Sequence, residues 1–159
     1  MSIVVEPMRW PDLAEVAVME QDVFQTDPWS LETWWSELAG VPTTRVYIVA
    51  RKTGAEQEQS IIGYGGLALA GGDCDIQTVA VSPVIRGYGL GRDLLERLLA
   101  VGRERGARWC HLEVEADNEP ALALYRKLGF DVIARRPGYY RGRTDALVMK
   151  ADLGEVADR

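Results

Sequence analysis

The sequence predicts a mixed α/β (α+β) fold in which strands and helices share one hydrophobic core. Alternating and β-branched runs typical of strands are interspersed with helical patterns in the order β-α-α-β-β-β-α-β-α-β-β. The chain has 159 residues, a common size for one domain, and its sequence contains no internal repeat, linker or low-complexity segment. We therefore expect a single domain over residues 1–159.

The first predicted strand covers residues 3–6, and two helices follow it. The first helix has apolar residues at helical spacing up to Phe24. Residues 27–30, Asp-Pro-Trp-Ser, interrupt that pattern. Ser30 is then placed to cap a short helix over 31–39, because its hydroxyl can accept a hydrogen bond from the first turn.

Three strands are predicted in the middle of the chain. Residues 45–51 and 61–70 are rich in β-branched and aromatic side chains, and the polar turn between them predicts a hairpin. A further strand over 75–81 ends before Pro83, because proline cannot donate to a strand ladder. The strongest helical pattern of the chain follows at residues 90–106.

The C-terminal part again alternates strand and helix. Residues 108–115 alternate between two faces, which predicts a strand. Asn118 is placed to cap a helix that ends before Gly129. The last two strands are predicted over 130–135 and 145–149, around a glycine-containing hairpin.

Composition and charge argue against several classes of protein. The 18 basic and 24 acidic residues give a net charge of −6, which would repel a phosphate backbone, so we expect no direct nucleic-acid partner. Because the sequence shows neither a long apolar segment nor a secretory signal, we expect a cytoplasmic protein without a membrane partner. Cys74, Cys110 and the single histidine cannot form a zinc site, so we expect no metal. The oligomeric state is left open, with a monomer as the expectation.

A glycine-rich turn, Arg-Gly-Tyr-Gly-Leu-Gly-Arg over residues 86–92, lies between a strand and the strongest helix. Glycines let the backbone approach an anion, and the N–H groups of a helix N-terminus bind pyrophosphate. An ordinary strand-to-helix connection is the alternative interpretation. The dinucleotide fingerprint is excluded because its third glycine falls on Arg92 or Leu94, and the P-loop is excluded because no Gly-Lys-Ser/Thr follows.

The residue pattern of this turn resembles a known family signature. An R-x-x-G-x-G pattern, Arg86, Gly89 and Gly91, comes directly after the strand that ends at residues 79–81. This pairing resembles the acetyl-CoA signature of the GNAT superfamily of N-acetyltransferases. The resemblance implies acetyl-CoA as cosubstrate. It also implies a central, mixed, mostly antiparallel seven-stranded sheet that is flanked by about four helices and splayed between strands 4 and 5.

Residues 112–130, LEVEADNEPALALYRKLGF, resemble one branch of that superfamily, the RimI-like ribosomal-protein alanine N-acetyltransferases. Residues 27–30 and the pair Tyr139-Tyr140 are similar to two further elements of the branch, and the resemblance covers about residues 3–150. Glu115 and Asp117 depart from the branch, which usually has arginine and serine there. The resemblance implies transfer of an acetyl group to the N-terminal α-amine, expected to be that of alanine, of a ribosomal protein or similar peptide.

The same resemblance implies roles for the matching residues. Glu113 corresponds to the general base, Tyr125 to the general acid and Asn118 to a residue that contacts the cofactor. The other cofactor-binding residues that it implies are Val79, Ala80, Val81, Arg86, Gly87, Tyr88, Gly89, Leu90, Gly91 and Arg92. The residues expected to contact the substrate are Trp29, Tyr139 and Tyr140.

The chemistry of acetyl transfer suits these two side chains, although each has an ordinary alternative. An α-amine with a pKa of about 8 loses its proton more readily than a lysine at about 10.4, so a carboxylate base matches an N-terminus better. We expect partial burial of Glu113, or a water molecule, to assist proton removal. From strand periodicity alone, a solvated surface residue is the favoured interpretation of Glu113. Within its amphipathic helix, Tyr125 is by default a packing residue.

Two other functions stay open. A GNAT enzyme that acetylates lysine or a small-molecule amine is the first, and residues 29–30 with 139–140 argue against it. A non-catalytic acetyl-CoA-binding module is the second, and the presence of both Glu113 and Tyr125 argues against that. The sequence also leaves open which of Trp34 and Trp35 is exposed.

Overall fold

The computed structural model describes residues 2–24, 27–54, 60–140 and 144–154, with the side chain of Tyr140 outside that description. The described residues form seven strands, namely β1 (Ser2–Pro7), β2 (Arg45–Thr53), β3 (Ser60–Ala70), β4 (Asp73–Val81), β5 (Trp109–Glu115), β6 (Asp131–Tyr140) and β7 (Thr144–Asp152). They also form four α-helices, namely α1 (Leu13–Val23), α2 (Leu31–Leu38), α3 (Leu90–Glu104) and α4 (Glu119–Lys127). This order of strands and helices confirms the predicted one.

The strands form one seven-stranded sheet in the order β1-β2-β3-β4-β5-β7-β6. β4 and β5 are parallel, and the pairs β1–β2, β2–β3, β5–β7 and β6–β7 are antiparallel. The predicted mixed, mostly antiparallel sheet is therefore confirmed. The parallel pairing joins residues 73–75 of β4 to residues 109–111 of β5. A splay of the two strands beyond those residues stays a prediction.

The chain divides into two compact units, and each is described by itself. The first unit contains Met1–Ala68 and Gln77–Leu98, and the second contains Leu69–Ile76 and Leu99–Arg159. The expectation of a single domain over 1–159 stays a prediction.

An aromatic cluster forms one core of the first unit. The Trp34 side chain is fully buried, and its ring lies edge-on to Tyr47 and Tyr64, with centroids 5.6 Å and 5.3 Å away. Ser30 caps α2 as predicted, because its hydroxyl accepts the N–H of Thr33 at 3.1 Å. Successive residues of a helix point about 100° apart. Trp35 therefore leaves the core and is 47% exposed.

α3 lies close to the sheet of the first unit because β3 carries glycines beneath it. A Cβ added to Gly63 would come within 3.1 Å of both Leu94 Cδ1 and the carbonyl oxygen of Ala80. At Gly65, the added carbon would meet Leu98 Cδ1 at 2.9 Å. A larger residue at either position would push the helix away from the strand.

The second unit contains the predicted alternation along β5. Cys110, Leu112 and Val114 are buried, and Glu113 between them is exposed, so the predicted faces of this strand are confirmed. Cys110 pairs with Cys74 of β4. Both cysteines are buried, and neither forms a disulfide.

The last hairpin differs from the prediction. β6 runs to Tyr140, whereas the sequence predicted an end at residue 135, and its register against β7 shifts between Arg136 and Tyr140. β6 lies at the edge of the sheet, where a proline such as Pro137 costs no hydrogen bond to a further strand. The proline and the glycine after it therefore sit within an irregular strand and not in a loop.

Candidate active site

The predicted phosphate-binding turn connects β4 to α3 in the first unit. Gly87 and Gly89 have φ values of +89° and +80°, a left-handed conformation that favours glycine. A Cβ added to either would meet no described atom within 4 Å, so the backbone conformation, and not crowding, requires glycine there. The carbonyl of Gly89 accepts the N–H of Asp93 at 3.0 Å, which makes Gly89 the N-cap of α3.

The turn presents backbone N–H groups at the N-terminus of α3. The N–H groups of Leu90, Gly91 and Arg92 precede the first intrahelical donor, and such groups bind anions at a helix N-terminus. The Leu90 side chain is buried, so this residue can offer a ligand only its backbone. Tyr88, in contrast, is 79% exposed.

Both arginines of the turn have partners within the first unit. Arg86 donates from Nε to the carbonyl oxygen of Val81 at 3.3 Å, which ties the turn to the end of β4. Arg92 forms an exposed ion pair with Glu96 at 2.8 Å. Such a pair contributes little to stability in water, so Arg92 can turn to an anionic ligand at small cost.

The end of β4 is partly in the core. Ala80 is buried, and Val79 and Val81 are half-buried against the cluster that holds Leu90 and Leu94. The side chains of this segment are thus used in packing.

Glu113 lies at the centre of β5 in the second unit, opposite Val148 of β7. The residue lies on the exposed face of the strand, and its side chain is 31% exposed, so whether burial or a water molecule assists proton removal stays a prediction. Its carboxylate forms an ion pair with Arg136, with 3.3 Å between Oε1 and the guanidinium nitrogen. The carboxylate is thus accessible and oriented by a cation.

Tyr125 lies near the end of α4 in the same unit. Its ring packs edge-on against Phe130, with centroids 6.1 Å apart and the planes inclined at 61°. Burial raises the pKa of the Tyr125 phenol above its usual value near 10.0. The phenol therefore stays protonated at neutral pH, as a proton donor must.

Asn118 caps α4, as predicted, because its side-chain oxygen accepts the N–H of Ala121 at 3.3 Å. The cap uses the oxygen of the amide, and the nitrogen end carries two N–H donors. Asn118 can therefore hold the start of the helix while it donates to a carbonyl of a ligand.

Trp29 is half-buried in the first unit, where its ring lies 4.8 Å from that of Trp34. Its backbone N–H donates to Glu20 at 2.8 Å. In the second unit, Tyr139 is 51% exposed, and the Arg136 guanidinium lies 5.3 Å above its ring. The backbone of Tyr140 pairs with Thr144 at the end of β6, and its side chain lies outside the described residues.

The structure brings the predicted residues together in two groups. The end of β4 and the glycine turn are adjacent in the first unit. Glu113 and Tyr139 are joined in the second unit through Arg136. Sequence reasoning missed Arg136, because two neighbouring arginines precede the tyrosines and only the strand register decides which one reaches Glu113.

Neither a membrane-spanning helix nor a metal-binding cluster occurs in the described residues. No helix in them is long and apolar enough to span a bilayer. The same residues contain no group of three or more His, Cys, Asp or Glu side chains that could hold a metal ion.

Comparison with known proteins gives the family. The chain is 35% identical over 150 residues to N-alpha-acetyltransferase RimI of Mycobacterium tuberculosis (strain ATCC 25618 / H37Rv), which covers 91% of this chain and 89% of that protein. It is also 35% identical over 156 residues to the uncharacterized protein ML0378 of Mycobacterium leprae (strain TN), but spans only 41% of that longer protein's length. The crystal structure of the ribosomal-protein-S18-alanine N-acetyltransferase from Escherichia coli superposes with a TM-score of 0.84 at 28% identity, covering 96% of this chain and 95% of that one.

The sequence profile of the acetyltransferase (GNAT) family matches residues 10–130 of the chain. This match includes the whole glycine turn, Glu113 and Tyr125. GNAT enzymes use acetyl-CoA. The chain belongs to the GNAT family of N-acetyltransferases.

Proposed function

We propose that the protein transfers the acetyl group of acetyl-CoA to the N-terminal α-amine, that of alanine, of a ribosomal protein or a similar peptide. Its relatives in M. tuberculosis, an N-alpha-acetyltransferase, and in E. coli, a ribosomal-protein-S18-alanine N-acetyltransferase, support an N-terminal acceptor. The observation that carries the proposal is that successive elements of one unit hold the ion-paired carboxylate of Glu113 and the half-buried phenol of Tyr125.

Glu113 removes the proton from the amine. An α-ammonium ion must become neutral before its nitrogen can attack, and its pKa of about 8 leaves a useful neutral fraction at neutral pH. The Glu113 carboxylate accepts this proton, directly or through one water molecule. Its exposure suits the acceptance of an amine from a substrate that arrives from solvent.

Backbone groups at the end of β4 stabilise the charge that develops during attack. Acetyl-CoA supplies the acetyl group as a thioester when it is bound. N–H groups of Val79, Ala80 or Val81 can donate to the thioester oxygen as it becomes negative, and the packing of these residues holds them in place before reaction. The glycine turn and Asn118 hold the cofactor.

Tyr125 protonates the thiolate that leaves. A phenol within hydrogen-bond distance can give its proton to sulfur, and a phenol is protonated at neutral pH. Attack by a positioned amine needs no covalent enzyme intermediate. Trp29, Tyr139 and Tyr140 are the residues proposed to contact the substrate.

Mass spectrometry on matched peptides tests the proposal. One peptide begins with a free alanine and has its lysine blocked, and a second has a blocked N-terminus and a free lysine. We expect acetylation of the first peptide and none of the second. Acetylation of lysine alone would overturn the N-terminal assignment and leave the GNAT family membership unchanged.

A further inference from the structure

Arg136 contacts two residues of the proposed site at once. One guanidinium nitrogen lies 3.3 Å from Glu113 Oε1, and the guanidinium carbon lies 5.3 Å from the ring centroid of Tyr139. The proposed base and a tyrosine expected to cover the substrate are thus linked through one cation. No role for this arginine follows from the family signatures.

A bulge in β6 decides which arginine makes these contacts. The register pairs Val132 with Met149 but Ala134 with Val148, so the ladder shifts by one residue between them. Arg136 consequently pairs with Ala146 and lies on the same face as Glu113. Without that extra residue, every side chain beyond it would change face.

The neighbouring Arg135 lies on the opposite face of β6 and has a different partner. It pairs with Leu147, on the other face of the sheet, and forms its ion pair with Asp145. Asp145 also accepts the N–H of Gly138 at 2.9 Å, which fixes the irregular end of β6. One arginine therefore holds the hairpin, and the next one reaches the base.

We infer that Arg136 is a positioning residue for acetyl transfer, which orients the Glu113 carboxylate and holds Tyr139 beside it. This inference rests on the proposed function. A glutamate at an exposed strand position has several accessible rotamers, yet a general base must stay within hydrogen-bond reach of the proton it removes. An ion pair with an arginine that is itself held against an aromatic ring restricts those rotamers.

The same contacts contribute little to folding. The side chains of Arg136 and Glu113 are 53% and 31% exposed, and exposed ion pairs add only slightly to stability because water screens them. A loss of catalytic rate without a loss of stability is therefore the signature of positioning. It separates this role from a structural one.

A double-mutant cycle tests the inference. The four proteins are the wild type, Arg136→Gln, Glu113→Gln and the double variant. We expect Arg136→Gln to lower kcat about fivefold to tenfold, with the KM for acetyl-CoA unchanged. In the Glu113→Gln background the same substitution should change kcat by less than about twofold, because there is no carboxylate left to orient.

Two further variants sharpen the cycle. Arg136→Lys keeps the charge but not the planar fork, and should recover part of the lost rate. Arg97→Gln is the matched control, because Arg97 is also 53% exposed and also ion-paired, to Asp93 on α3. It should leave kcat unchanged.

The outcomes separate this inference from the proposed function. If the wild type acetylates only lysine, the proposed function fails, and the cycle is measured on lysine instead. An unchanged kcat in Arg136→Gln, or equal losses in both backgrounds, would overturn the positioning role. The NMR signal of the Arg136 guanidinium gives a test that does not depend on turnover. This signal should shift in both Glu113→Gln and Tyr139→Leu. An unshifted signal in either variant would also overturn the positioning role.

Discussion

The buried carboxylate of Glu20 accepts the backbone N–H of Trp29 at 2.8 Å, which ties Trp29 to α1. Its other oxygen accepts a hydrogen bond from the Tyr64 hydroxyl. Burial raises the pKa of Glu20, and these two hydrogen bonds oppose the rise. The residue proposed to contact the substrate, Trp29, is thus held by a carboxylate that is costly to ionise.

We expect Glu20→Gln to gain stability relative to the wild type as the pH rises. In the wild type, the folded pKa lies above the unfolded value near 4.5, so the folded state binds more protons and stability falls as the pH rises through that interval. Glutamine cannot ionise and keeps an oxygen for the Trp29 N–H. Chemical denaturation of both proteins between about pH 4 and 8 should show the difference growing with pH. A constant difference would contradict the raised pKa.

Gly89→Ala should weaken acetyl-CoA binding and destabilise the fold slightly. Alanine at φ +80° costs about 1–2 kcal/mol, because its Cβ approaches the following carbonyl oxygen. Gly71→Ala is the control, since Gly71 also has a positive φ, of +52°, and also has open space where the Cβ would be. Calorimetry should show weaker acetyl-CoA binding for the Gly89 variant alone. Equal affinities in the two variants would reject the turn as the pyrophosphate site.

Tyr125→Phe should lower kcat about 100-fold or more and leave acetyl-CoA binding nearly intact, because only the proton donor is removed. Tyr47→Phe is a matched control that removes the hydroxyl of another buried tyrosine, which donates to Glu37 at 2.7 Å. That variant should lose about 1 kcal/mol of stability and keep its kcat. Steady-state kinetics of both decide the role. Wild-type turnover in Tyr125→Phe would show that this residue only packs.

Cys74 and Cys110 should be unreactive in the folded protein. They are 1% and 0% exposed and directly opposite each other in the parallel pair of strands. The hydrogen bond with Cys74, together with burial, raises the pKa of the Cys110 thiol, so the reactive thiolate is suppressed there. A thiol reagent should label both only in denaturant. Labelling of either in the native protein at the denatured rate would contradict this burial.

Helix caps, the glycine turn and the faces of β5 could be predicted from the sequence, because each depends only on neighbouring residues. Ser30 and Asn118 cap their helices because a side-chain oxygen finds N–H groups two or three residues later, whatever the rest of the chain does. The glycines of the turn are needed for a backbone conformation that is also local. The alternation of β5 likewise identified the face of Glu113, because the period of a strand is fixed by its geometry.

Contacts between residues far apart in the chain were decided only by the tertiary structure. Because of the bulge in β6, Arg136 and not Arg135 contacts Glu113. No local sequence pattern predicts this change of one residue in the strand register. Glutamate is usually exposed, but the packing of α1 against the aromatic cluster buries Glu20. The sequence by itself determined the order of elements and the residue types of the site. Register and packing determined their partners and their exposure, because these depend on which distant segments meet.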